Sequence, residues 1–140
     1  MKDTAYSMRR CNIQNQMIEF VVPIKVTGEL GLNRLYSTNK HWAKRRQEAC
    51  AVHDAVKNAL ISQGVAKSII KNPVLIDIAY NSRLDIDNHG YIAKLLIDGL
   101  KGYLLEDDNS RFVKKLIQSY YTGNGIKIKI CELAGEVYEM

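Results

Sequence analysis

VLIDIAYNSRLDIDNHGYIAKLLIDGLKG, residues 74–102, decides the fold. Its first seven residues are apolar enough for a strand at the centre of a sheet, and Pro73 starts it. Its last twelve, YIAKLLIDGLKG, place Tyr91, Ile92, Leu95, Leu96 and Leu100 on one helical face. Asp87 or Asn88 is a suitable N-cap, and Gly102 suits the C-terminus. Working upstream, Gly64 punctuates a helix expected over 42–62, with Ala49, Val52, Val56, Ala59 and Leu60 as its stripe. Before it lies the turn-rich stretch TGELGLNRLYSTNK. Before that, Ile18, Phe20, Val22, Ile24 and Val26 alternate as one strand face, with Pro23 forcing an edge or a bend. Downstream, RFVKKLIQSYY and IKIKICEL flank TGNG, and the Asn-Gly pair signals a hairpin. Ile126, Ile128 and Ile130 face in, and Lys127 and Lys129 face out. The expected order is β-α-β-α-β-β: one α+β domain with a mixed sheet of about four strands and two main helices. Residues 1–16 read as a polar arm without the apolar core of a signal peptide, and 17–140 as the folded domain.

The chain has 140 residues and a net charge of +5, unevenly distributed. Residues 1–84 hold 13 Lys and Arg against 6 Asp and Glu, a net of +7, and residues 85–140 hold 7 against 9, a net of −2. Such asymmetry suits gripping a polyanion with one half and cations with the other, although a weakly basic surface alone is also consistent with it. No apolar run approaches the roughly 20 residues of a membrane helix. Cys11, Cys50 and Cys131 form no CxxC pair, so neither a zinc site nor a disulfide framework is expected, and the usage suits a reducing cytoplasm.

The dense acidic positions are Asp85-Ile86-Asp87 after the central strand and Glu106-Asp107-Asp108 after the second helix. In an extended segment Asp85 and Asp87 project to one side and Ile86 to the core. A helix of about 12 residues is ~18 Å long, so the 103–107 loop has to bring Asp107 or Asp108 back to that pair. Convergent carboxylates need a cation, and oxygen-only ligands suit Mg²⁺ or Mn²⁺, which polarises a phosphodiester and lowers the pKa of water. Asp-rich turns are also commonly plain solvated loops or caps. Lys94 either pairs with Asp98, four residues on, or reaches the scissile phosphate. Lys40-His41-Trp42-Ala43-Lys44-Arg45-Arg46 is the densest basic run. Lys44, Arg45 and Arg46 suit a phosphate-facing strip, while Trp42 is expected to pack beneath the helix rather than stack on a base. His89 either tunes the acidic pair or simply occupies the helix N-terminus.

Taken together, Asp85-Ile86-Asp87-Asn88, Lys94-x-x-x-Asp98-Gly-Leu, and Leu105-Glu106-Asp107-Asp108 resemble the signature of the RusA family of Holliday-junction resolvases. Gly31-Leu32-Asn33-Arg34-Leu35-Tyr36 and His41-Trp42-Ala43-Lys44-Arg45 also resemble its phage-type members. The resemblance runs from about residue 18 to 132. The spacing from Asn88 to Lys94 is longer than in the best-known bacterial member, and Arg83 is displaced by one position from that member's arginine. The resemblance implies a homodimeric, Mg²⁺-dependent endodeoxyribonuclease, with Mn²⁺ substituting, that nicks four-way DNA junctions symmetrically. It implies neither a membrane nor an organic cofactor. Asp85, Asp87, Asp108 and Lys94 match its catalytic set, with Asp107 assisting at the metal. Asn33 matches a functional Asn, and Arg34, Lys40, Lys44, Arg45, Arg46 and Arg83 are the expected DNA contacts. Two rival expectations are a non-catalytic module holding branched or single-stranded DNA, and another Mg²⁺ enzyme such as a nucleotidyl or glycosyl transferase.

Overall fold

A computed structural model describes residues 16–37 and 41–133. The expected arm, apart from Gln16, and Lys40 lie outside the described residues. The elements are β1 (Met17–Val22), α1 (Leu32–Ser37), α2 (Trp42–Ser62), β2 (Val74–Tyr80), α3 (Gly90–Leu100), β3 (Val113–Tyr120) and β4 (Ile126–Glu132), with short 3₁₀ turns at Gly28–Leu30 and Ile86–His89. The architecture is α+β, built on one four-stranded mixed sheet in the order β1-β4-β2-β3. The turn-rich stretch TGELGLNRLYSTNK also contains α1, six residues long. The first strand stops before Pro23, whose missing N–H ends the ladder, and β1 lies at a sheet edge.

The sheet buries rows of matched side chains. Ile18, Ile130 and Ile76 form one row across β1, β4 and β2. Phe20, Ile128 and Ile78 form the next, and Val22, Ile126 and Tyr80 the third. All are buried, together with Val52, Val56, Ala59 and Leu60 of α2 and Ile92, Leu96 and Leu100 of α3. The alternation places these residues on the helix-covered face and leaves Glu19, Asp77, Lys127 and Lys129 on the other. Among the described residues no helix is long and apolar enough to cross a membrane. Cys50 is exposed rather than packed in its helix. Cys131 is disulfide-bonded, a pairing the cysteine spacing does not point to.

The expected β3–β4 hairpin does not form. β2 lies between the two strands, parallel to β3 and antiparallel to β4. The physical reason is burial: β2 offers four fully buried side chains and needs partners on both sides, whereas β3 carries Lys114 and Lys115 and suits an edge. The Asn124-Gly125 pair therefore serves a connection across the end of β2, from Tyr120 to Ile126, both of which pair with Tyr80.

Gly125 makes that connection possible. Its φ is +73°, and a Cβ there would lie 2.5 Å from the Val22 carbonyl oxygen. Gly125→Ala combines left-handed strain with a backbone clash, so a loss of about 2–4 kcal/mol is expected in urea unfolding. A loss below about 1 kcal/mol would mean that the connection relaxes freely.

Candidate metal and nucleic-acid site

β2 delivers the chain to the first acidic pair. Asp85 is extended and precedes the 3₁₀ turn Ile86–His89, and both Asp85 and Asp87 are exposed. The turn corrects the extended reading of this segment. Ile86 faces solvent, and the residue sent into the core is His89, which is fully buried. Its ring stacks on Tyr80 with 4.0 Å between centroids. His89 Nδ1 lies 3.1 Å from the Ile86 carbonyl, and Nε2 lies 2.9 Å from Ser82 Oγ, which also accepts the Leu84 N–H at 3.0 Å. A carbonyl only accepts, so Nδ1 carries the proton and Ser82 donates to Nε2 in the neutral ring. Tyr120 adds a further hydrogen bond, from its hydroxyl to the Leu84 carbonyl. The loop is thus held on its inner side while its carboxylates face outward. Among the described residues neither Asp85 nor Asp87 has a cationic partner.

Two further elements converge on this loop. The Asn33 N–H donates to Asn88 Oδ1 at 2.7 Å, fixing α1 beside the acidic pair. Asn88 is thus occupied with α1, and α3 has His89 at its N-cap position, so neither Asp87 nor Asn88 caps it. Gly31 makes room for this contact, since a Cβ there would lie 3.0 Å from Asn88 Nδ2. Glu48 Oε1 accepts the Tyr91 hydroxyl at 2.8 Å, while Val56 packs against Gly99. Both contacts share one offset of 43 residues, so α2 and α3 run parallel with their N-termini at the same end. Lys44 and Arg45, about one turn before Glu48, lie toward that shared end, and the Arg45 charge acts on the Tyr91 hydroxyl. Burial, then the Glu48 hydrogen bond, raises the Tyr91 pKa. Two helix N-termini, exposed Lys44, Arg45 and Arg46, and exposed Arg83 in the loop thus flank the Asp85–Asp87 end. Arg34 is in an ion pair with Glu29 at 3.1 Å. Trp42 is 62% exposed, contrary to the expectation that it packs under its helix. As the first residue of α2 it precedes the buried stripe, and its ring lies tilted beside that of His41, 5.6 Å between centroids.

Asp107 and Asp108 are not at this end. α3 has 11 residues, about 16 Å of helix, and carries the chain back to the start of β2. There Lys101 Nζ lies 3.1 Å from Asp98, 3.3 Å from Asp108 and 3.8 Å from Asp107. Lys94 takes the pairing option, 3.1 Å from the other Asp98 oxygen. Asp107 also accepts the Asp108 N–H at 2.8 Å and Asn109 Nδ2 at 3.2 Å, and the first of these holds its pKa below the ordinary carboxylate range. Among the described residues no three His, Cys, Asp or Glu side chains form a group able to hold a metal. The expected convergence of four carboxylates within one chain is therefore absent: the parallel crossover puts the two pairs at opposite ends. The missed element is Lys101, whose three-residue spacing from Asp98 was available as a helical ion pair.

No protein-family model matches the chain, and a search of curated proteins finds no match.

Two outcomes follow from these contacts. Ser82→Ala strips a buried His89 nitrogen and the Leu84 N–H of their partner, and should cost about 1–3 kcal/mol in urea unfolding. Ser82→Thr, which restores the hydroxyl, should recover most of it. Equal losses in both variants would show that the hydroxyl is not what holds the loop. Asp98 is raised by burial, but its bonds to Lys101 and Lys94 outweigh that and leave it below its ordinary pKa. A depressed carboxylate stabilises the fold above its unfolded pKa, about 4, and that contribution is lost as pH falls through the folded value. Asp98→Asn should cost about 1 kcal/mol at neutral pH and flatten the loss of stability below about pH 4. An unchanged acid limb in thermal melts would remove Asp98 from this role.

Proposed function

We propose that this protein is a Mg²⁺-dependent endodeoxyribonuclease that resolves four-way DNA junctions as a homodimer. The observation carrying this reading is the Asp85–Asp87 loop: two exposed carboxylates, uncompensated by any cation among the described residues, on a loop pinned from beneath by His89. Beside it lie the exposed cations Lys44, Arg45, Arg46 and Arg83. Unpaired oxygen ligands suit Mg²⁺, and adjacent cations suit phosphates. The sequence resemblance supplies the junction as substrate.

In this reading Asp85 and Asp87 of one copy and Asp107 and Asp108 of the other would hold the metal. Bound there, Mg²⁺ supplies Lewis-acid stabilisation of charge at the phosphodiester and lowers the pKa of a water. Asn33 and the α2 cations position the DNA backbone across the loop. Two such composite sites related by a twofold axis match the symmetry of a junction and account for paired nicks in opposite strands. Lys101, which compensates Asp108 in the single chain, would have to release it to such a site, and Lys94, paired with Asp98 in the same cluster, would contact the phosphate.

A non-catalytic holder of branched DNA is the second reading. It is favoured by the neutralisation of Asp107 and Asp108 by Lys101, which needs no metal.

Complementation tests the composite site. Asp87→Asn and Asp108→Asn should each abolish Mg²⁺-supported nicking of a synthetic four-way junction while sparing binding in a gel shift. Mixed and allowed to exchange subunits, the two inactive variants form a heterodimer with one site built entirely from wild-type carboxylates. About a quarter of wild-type nicking should return, since half the dimers are mixed and each has one sound site. No recovery despite subunit exchange would place all the acids of each site on one chain. Binding by the wild-type protein without nicking in Mg²⁺ or Mn²⁺ would leave the holder as the function.

A further inference from the structure

Trp42 is the only tryptophan of the chain and the first residue of α2. Its indole is held in place but not covered. His41 caps the helix, its Nδ1 accepting the Ala43 N–H at 3.1 Å, and the indole lies tilted against that fixed imidazole. A single exposed apolar side chain is ordinary on a protein surface. Here three stand toward one end of the fold. The N-terminus of α2 brings Trp42 to the end where α3 begins. α1, fixed to Asn88 through Asn33, carries Tyr36, 74% exposed, and the acidic loop carries Ile86, 39% exposed. None of the three belongs to the hydrophobic core.

The charges beside Trp42 decide what kind of surface complements it. Lys44, Arg45 and Arg46 follow on the same helix, all exposed, and among the described residues none of them is in an ion pair. A flat apolar ring next to uncompensated cations matches a polyanion that itself carries flat apolar faces, and nucleic acid has that chemistry. Within a duplex each base is stacked on both faces, so an aromatic side chain finds no free face there. A branch point or a single strand interrupts the stack and leaves faces open. Stacking by Trp42 therefore distinguishes interrupted from continuous duplex, whereas the cations act on the phosphates of either.

We propose that Trp42 stacks on the free face of a base where DNA stacking is interrupted, and that this contact makes binding selective for branched over linear DNA. The proposal rests on the reading of the protein as a junction-cutting enzyme and names the residue that recognises the branch. Trp42 touches no reacting group. It is a specificity-determining contact that holds the branch on the side of the Asp85–Asp87 loop.

Because Trp42 is the only tryptophan, its fluorescence reports the contact without any substitution. The full chain is titrated, in the absence of Mg²⁺, with a synthetic four-way junction, with a single strand and with a linear duplex of the same arm sequences. Iodide should quench the emission of the free protein. The junction and the single strand should each quench the emission on binding, and the duplex should bind while leaving it nearly unchanged. Anisotropy of labelled DNA then gives the affinities. Trp42→Ala should lower the junction-over-duplex affinity ratio about tenfold or more, Trp42→Phe should retain most of the ratio, and Trp42→Leu should not. Lys44→Ala should weaken binding to junction and duplex alike. Equal quenching by duplex and junction, or an unchanged ratio in Trp42→Ala, overturns the proposal. An indole already shielded from iodide in the free protein overturns it as well, because protein then covers Trp42. Junction selectivity that depends on Trp42 in a protein that never nicks in Mg²⁺ or Mn²⁺ keeps the proposal and sinks the nuclease reading. Nicking of the junction with the ratio unchanged in Trp42→Ala does the reverse.

Discussion

A strand that leaves a sheet, crosses over by a helix and returns parallel to itself must carry its two connections at opposite ends. That constraint governs this molecule. β2 ends at Tyr80, α3 travels back over the sheet, and β3 restarts beside Val74. The Asp85–Asp87 loop is the outgoing connection, and the Lys101–Phe112 segment is the incoming one. The apolar stripe of α3 and the four buried side chains of β2 leave no alternative, because a shorter helix would expose Leu96 or Leu100, both fully buried. Whatever the two acidic pairs do together, they do from two ends of one layer.

The two ends have different electrostatic character. At the outgoing end, parallel α2 and α3 present both N-termini, with the cations of the first turn of α2 toward that same end. Helix dipoles and cations there favour an anion such as phosphate next to carboxylates that have no cationic partner among the described residues. At the incoming end the carboxylates are already compensated: Lys101 touches Asp98, Asp107 and Asp108, and its own pKa is raised chiefly by the Asp98 bond. The first end leaves its carboxylates exposed, and the second has its own compensated by Lys101.

Much of the fold was legible because burial imposes periodicity. The limits of α2, the central position of β2 and the inward-facing isoleucines of β4 follow from apolar spacing alone. The failures share a cause, which is that local signals do not report tertiary competition. Asn124-Gly125 has the chemistry of a tight hairpin, but β2 competes for both neighbouring strands and takes the place between them. Asp85-Ile86-Asp87 alternates as a strand would, yet burial of His89 against Tyr80 winds it into a 3₁₀ turn and turns Ile86 outward. Trp42 is expected beneath its helix, but it precedes the helical stripe that reaches the sheet and stays exposed. The candidate acids were legible as residues, whereas their separation was not, because it depends on β3 returning parallel.

Separation has a stability consequence that bears on assembly. Four carboxylates gathered in a single folded chain would repel one another without a cation, and the fold would depend on metal for its stability. Divided between the ends of α3, one pair is solvated and the other is bound to Lys101, so the chain folds with neither pair in strain. Bringing the pairs together then requires both a second copy and a cation to take over the charge that Lys101 compensates. On the proposed reading this makes cutting conditional: a lone chain holds half of each site, and DNA cleavage is confined to the twofold assembly whose symmetry a four-way junction shares. On that same reading, the geometry that keeps the acidic pairs apart within one chain would couple the chemistry to the dimer.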